Sequence, residues 1–293
     1  MRRGVETVAA GRTPRPYGIF TSFVAFDRAD PAQLAGALER VRPDVLLDLA
    51  AFQPAHVRAV VEAFQGDRYV LVSTAGVYPD LPGRAAREED LPPPEGPVPD
   101  GPLSYRDGKR WCEALLARGS GLPWVAIRPP AVLGADDPTL RIAAYLRRLE
   151  DGGPLLVPAE SYERPAPLAW VRDVGYACAL ACDLRREASG PYNVAFDPLS
   201  LRDLLEAAGR ALGRPPRLVP VPWAELPEGA SPYGPDPARP AGYDLSRARR
   251  DLDFEPSPLA DALPETLAWY LARRPSHPGY AGRALELELA ARR

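Results

Sequence analysis

Tyr105 and Lys109, four positions apart in Ser104-Tyr105-Arg106-Asp107-Gly108-Lys109-Arg110, are the pair in this chain with the clearest chemical use. Lys109 is the only lysine among 36 basic residues, every other one being arginine. An ammonium retained in such a composition stands where a compact point charge is needed and a planar guanidinium does not serve. Four residues are about one helical turn, so a helix that opens at Tyr105 carries the phenol and the ammonium on one face. A free tyrosine titrates near ~10, and a neighbouring cation favours the phenolate, which lets the phenol exchange protons with a substrate hydroxyl near neutral pH. The pair reads as a general acid/base with its cation. The plainer reading is a surface i,i+4 contact on an amphipathic helix.

The elements that must position this pair alternate between the two periodicities. Residues 5–10 and 19–26 read as strands, 31–41 as a helix, 44–50 as a strand, 54–64 as a helix, and 69–73 as a continuously apolar strand. A proline-rich loop over 79–104 follows, long enough to be a flap or a solvated connector. Then come a helix at 105–118 and a strand at 124–128, stopped by Pro129-Pro130. Such alternation predicts a doubly wound α/β fold, a Rossmann-like parallel sheet with strands buried on both faces. Its ligand crevice lies beyond the carboxyl ends of the strands, where Gly11-Arg12, Asp27, Ala50-Ala51, Thr74 and Pro129 all fall.

Beyond Gly134 the pattern loosens. Helices are predicted at 139–150, 171–185, 200–212, 246–252, 259–272 and 282–291, with strands at 155–157 and 192–196. Ser200, three residues before Asp203, is a helix-start signal. The division expected is a nucleotide-binding domain over 1–134 and a smaller mixed α/β substrate lobe over 135–293 that closes on the crevice, with the chain crossing back to the sheet.

Composition narrows the function classes. A chain of 293 residues, 46% hydrophobic and of net charge -3, can bury a large core and carries no basic stripe, which argues against a nucleic-acid binder. No apolar run reaches membrane-spanning length and no secretory leader is visible at Met1, so a cytoplasmic protein is expected. The thiols Cys112, Cys178 and Cys182 are expected to be reduced and structural. With only His56 and His277 in the chain, no metal site is expected.

The strand-end segment Ser73-Thr74-Ala75-Gly76-Val77-Tyr78, the Tyr105-to-Lys109 pair, Arg128-Pro129-Pro130-Ala131-Val132-Leu133-Gly134, Tyr192-Asn193-Val194 and Leu252-Asp253-Phe254-Glu255-Pro256 occur in one order along the chain. In that order and spacing they resemble the extended short-chain dehydrogenase/reductase superfamily, in its NAD-dependent epimerase/dehydratase branch. The resemblance implies that Tyr105 is the catalytic acid/base, that Thr74 hydrogen-bonds the reacting oxygen, and that Lys109 holds the nicotinamide ribose. It implies that Asp27 caps the adenine, that Ala50 and Pro129 line the cofactor, and that Arg12 meets a 2'-phosphate, which favours NADP over NAD. The activity implied is an oxidoreductase or epimerase acting on a secondary alcohol of a sugar or sugar-like small molecule, and a homodimer is the expectation by resemblance.

Three departures temper this. The family's first strand and its glycine-rich turn, about 25 residues in all, have no counterpart, because residues 1–4 already read as the tail of the first crossover helix. In the usual strand order the missing strand is the central one, which leaves two neighbouring edges unpaired. The explanation favoured is a start placed too far downstream. The second reading is a noncatalytic cofactor-sensing or RNA-binding protein on the same fold. Arg164 stands about two residues out of register with the arginine many relatives use on a nucleotide-sugar diphosphate, and Trp170 replaces a more usual histidine and is expected to pack.

Overall fold

The computed structural model describes residues 5–14, 19–119, 121–234 and 240–293. The helix tail read at residues 1–4 lies outside them. The chain forms two compact units and passes between them more than once: Met1–Val77, Pro92–Ile127 and Cys178–Pro191 make the first, and Tyr78–Leu91, Arg128–Ala177 and Tyr192–Arg293 the second.

The first unit is built from β1 (Val8–Gly11), β2 (Ser22–Ala25), α1 (Pro31–Val41), β3 (Val45–Asp48), α2 (Pro54–Ala63), β4 (Arg68–Val72), α3 (Tyr105–Ala117) and β5 (Trp124–Arg128). Helix α1 begins where the sequence demands it. The Asp30 carboxylate accepts from the Ala32 and Gln33 amides, and Pro31 occupies the first turn, where its missing N–H leaves nothing unpaired. Strands β3, β4 and β5 are parallel neighbours, with Val70 opposite Val125 and Leu71 opposite Ala126. Tyr69 and Leu71 of β4 pack with Val57, Val60, Cys112 and Leu116 of the helices. Deep burial of these apolar side chains, at roughly 25 cal/mol per Å² of apolar surface, is what holds α2 and α3 to the sheet.

One expectation is corrected here. Strands β4 and β5 are buried on both faces, but on β3 Leu47 is 39% exposed, and Leu49 just beyond it is 65% exposed. Among the described residues β1 pairs only with β2, while β3 begins a separate sheet of order β3-β4-β5-β9, with β9 at Gly190–Asn193. The parallel sheet is therefore in two pieces, divided where the sequence left two strand edges unpaired, and β3 is an edge with an open face.

The second unit carries β6 (Ala131–Leu133), α4 (Arg141–Asp151), β7 (Leu155–Pro158), β8 (Leu168–Trp170), most of α5 (Val171–Ala181), α6 (Leu201–Ala211), β10 (Leu218–Val221), α7 (Ser246–Leu252), α8 (Leu259–Arg273) and α9 (Arg283–Ala291). Strand β6 pairs in parallel with β8, and β7 with β10. The sequence reading missed β6, β8 and β10. The strand expected at 192–196 is found at Gly190–Asn193. Helix α5 stops four residues before the expected 185, because the Arg68 guanidinium takes the carbonyls of Ala181, Asp183 and Arg186 in place of another helical turn. The Ser200 signal is borne out as a reciprocal capping box with Asp203 at the start of α6. The core of this unit joins Ile142, Tyr145 and Leu146 of α4 to Leu204 and Leu205 of α6 and to Leu267 and Tyr270 of α8.

Candidate active site

Helix α3 starts at Tyr105 because Ser104 caps it: the Ser104 hydroxyl oxygen accepts from the Asp107 amide at 3.1 Å and donates to the Asp107 carboxylate at 2.7 Å. That start places Tyr105 on the exposed first turn, 55% accessible, and Lys109 one turn deeper, 1% accessible. The Lys109 ammonium donates to the Val72 carbonyl oxygen of β4 at 2.6 Å. Two residues on from Val72, the Thr74 hydroxyl hydrogen-bonds the Tyr105 phenol. It also accepts from the Gly76 amide at 3.1 Å, which fixes its rotamer. The Lys109 nitrogen lies 6.0 Å from the centre of the Tyr105 ring and 4.6 Å from that of Phe52. Thr74, Tyr105 and Lys109 are thus brought together at the carboxyl end of β4.

The electrostatics differ from the sequence expectation. Burial raises the Tyr105 phenol above its ordinary value, and the Thr74 hydrogen bond opposes that shift. Burial lowers Lys109, partly offset by the nearby Cys112 thiol and Asp48 carboxylate. An ammonium-lowered phenol was expected; desolvation of the ring outweighs any such pull, and the ammonium is turned toward the Val72 carbonyl.

A buried layer supports these groups. The Ser73 hydroxyl donates to the Glu113 carboxylate, one helical turn after Lys109. Asp48, at the end of β3, accepts from Arg28 at 2.5 Å, from the Tyr69 hydroxyl at 2.7 Å and from the Ala50 amide at 2.9 Å. The predicted cofactor-lining Ala50 is therefore held by a carboxylate that sequence reasoning did not single out. A buried acid at a strand end, with an arginine at the end of the neighbouring predicted strand, was the signal available.

Asp27 sits at the end of β2, where its carboxylate accepts from the Ala29 amide at 2.9 Å. Arg12 is exposed, one residue past β1. Pro129 is buried and belongs to the second unit. In that unit the quoted motifs meet one another. Arg128 stacks over the Tyr78 ring at 5.0 Å and donates to its hydroxyl at 2.9 Å, and Tyr78 donates to the Asn193 side chain at 2.6 Å. Trp170 packs in the core as expected, and Arg164 is exposed. The loop read as a flap is pinned over its second half: Arg110 and Arg118 of α3 donate to the carbonyls of Pro92, Pro94 and Gly96.

Residues 55–195 match the model of the NAD dependent epimerase/dehydratase family. Over that span, just under half of the chain, it is similar to this family. The matched span holds Thr74, Tyr105 and Lys109, and it also takes in Arg128 and Asn193. Among solved structures, the Bordetella bronchiseptica enzyme WbmH in complex with NAD+ is 22% identical, with 93% of this chain and 92% of that one covered and a TM-score of 0.68. UDP-glucose 4-epimerase from Thermotoga maritima with UDP-glucose is 16% identical over 94% and 93%, with a TM-score of 0.68. UDP-glucuronic acid 4-epimerase from Bacillus cereus, in complex with UDP-glucuronic acid and NAD, is 16% identical over 91% of each chain, with a TM-score of 0.66. These likenesses establish the Rossmann-like fold. A comparison with curated proteins finds no match.

The donor set suits the ribose end of a dinucleotide. An ammonium offers three N–H donors, and the Val72 carbonyl engages one of those of Lys109. A glycine-rich phosphate cradle after a strand does not occur among the described residues. Among those residues, no cluster of three or more histidine, cysteine or acidic side chains is arranged for a metal ion, and no helix is long and apolar enough to cross a membrane.

Proposed function

We propose that this chain acts on a secondary alcohol of a sugar or sugar-like small molecule, as an NAD-dependent oxidoreductase or epimerase, with Tyr105 as its acid/base. The observation that carries this reading is the convergence of the Thr74 hydroxyl on the Tyr105 phenol with the buried Lys109 one turn below. Residues 1–134 take the nucleotide role and 135–293 the substrate role. The cofactor is NAD, the nucleotide named for the WbmH and Bacillus cereus complexes; Arg12 is the one residue that would favour NADP. UDP-sugars are the first substrates to try, since they are the ligands named for the Thermotoga and Bacillus enzymes, although Arg164 is displaced from the register of a diphosphate ligand.

NAD, when bound, supplies the hydride acceptor. Lys109 and the Ala50 rim hold the ribose, and Asp27 holds the adenine. Thr74 donates a hydrogen bond to the substrate oxygen, and Tyr105 removes the hydroxyl proton as the carbonyl forms. Because burial raises the phenol, the rate of alcohol oxidation climbs as pH rises toward the phenol's own value.

The test is Tyr105→Phe, assayed with NAD and a panel of UDP-sugars. Loss of turnover with substrate and cofactor binding retained supports the acid/base role. Turnover surviving at about a hundredth of wild type or more, roughly the floor for losing a general acid/base, sinks it.

A further inference from the structure

Lys109 is held by more than its own helix. The loop after β3 is fastened to the start of α3 at several points. The Gln53 side chain donates to the Leu103 carbonyl and accepts from the Leu103 amide, each at 3.0 Å. The Phe52 amide donates to His56 Nδ1 at 3.2 Å. The Phe52 carbonyl oxygen lies so near α3 that a Cβ on Gly108 would fall 2.1 Å from it. No side chain other than glycine's hydrogen fits beneath that carbonyl.

These fastenings deliver the Phe52 ring to the motif. Its centre is 4.6 Å from the Lys109 nitrogen and 6.0 Å from the centre of the Tyr105 ring, at an interplanar angle of 42°. Phe52 is 43% exposed and so stands only partly in the core, while the lysine it covers is 1% exposed. An aromatic face attracts an ammonium and excludes water from it. A leucine of similar volume would exclude water without that attraction.

We propose that Phe52 is a positioning residue for the sole lysine, its ring holding the Lys109 ammonium between the end of β4 and the Tyr105 phenol. This rests on the role given to Lys109 under Proposed function, but its geometry is testable without turnover. Because the chain has one lysine, protein grown with labelled lysine returns a single side-chain resonance set. The ε-methylene protons are expected upfield of a solvent-exposed lysine through the Phe52 ring current. That shift should vanish in Phe52→Leu and persist in Phe52→Tyr. A free-lysine shift in the wild-type protein, or one unchanged in Phe52→Leu, overturns the proposal. In the NAD-binding and turnover assays, Phe52→Leu is expected to weaken cofactor affinity roughly three- to tenfold, the size of a partly desolvated cation–π contact, with Phe52→Tyr restoring it. Lysine shifts as expected, in a protein that turns over no substrate, refute the reaction assigned above and leave the ring's hold on the ammonium standing. Equal loss of affinity in both variants overturns the aromatic role.

Discussion

The Lys109 ammonium donates to the Val72 carbonyl oxygen at 2.6 Å from a site with 1% accessibility, so the one lysine in the chain is a buried cation to which no carboxylate is bonded among the described residues. A charge in such a place is kept for use and lowers stability.

Lys109→Met, which preserves length and removes charge, should therefore abolish activity while stabilising the fold by on the order of 1 kcal/mol at neutral pH. Burial lowers the lysine's folded value, so its cost is fully present at pH below that value and is relieved as pH rises toward the unfolded one. The gain should shrink in alkaline buffer. Urea unfolding of both proteins at neutral and alkaline pH measures it, and a destabilised methionine variant would contradict it.

Gly108→Ala in mid-helix would ordinarily stabilise by about 1 kcal/mol through lost chain entropy. Here the opposite sign is expected. The new methyl meets the Phe52 carbonyl at 2.1 Å, a backbone atom that cannot swing aside, so a loss of about 1–3 kcal/mol should follow, with cofactor affinity falling alongside. Thermal unfolding with and without NAD checks both.

Glu88, buried in the second unit, accepts from the Asn193 amide at 2.8 Å, and burial raises its carboxyl above the ordinary value. A raised carboxyl contributes stability that is complete below its unfolded value and is lost as pH climbs through the folded one. Glu88→Gln keeps the acceptor and removes the titration. Its melting temperature should exceed wild type at neutral pH and match it in acid; a constant difference across pH would rule out this origin.

Arg148 is 0% exposed and bonds Glu286 through two nitrogens, at 2.8 and 2.5 Å, as well as the carbonyls of Ala144, Gly229 and Gly279. Arg148→Ala leaves a buried carboxylate to Arg283 alone and strips those carbonyls, an expected loss of about 3–5 kcal/mol by urea midpoint. Activity at low temperature should survive if the fold does.

Much of the fold was legible because it is local. Pro31 and Asp30 start α1, Ser200 and Asp203 start α6, and the apolar run at β4 buries itself whatever lies beside it. Strands β6, β8 and β10 were not; each is seen only once its partner, β8, β6 or β7, lies beside it. The break between β2-β1 and β3-β4-β5-β9 was legible as a missing strand, but the open face of β3 at Leu47 follows only from knowing its neighbours.

The sequence alone determined that a tyrosine and a lysine share a helix face, since a four-residue spacing and a serine cap require no tertiary contact. It could not determine the phenol's environment. That depends on how much water the folded chain leaves around Tyr105, on Thr74 arriving from another strand, and on Phe52 held against Gly108. Proton affinity is set by solvation and by neighbours remote in sequence, which only the tertiary structure assembles.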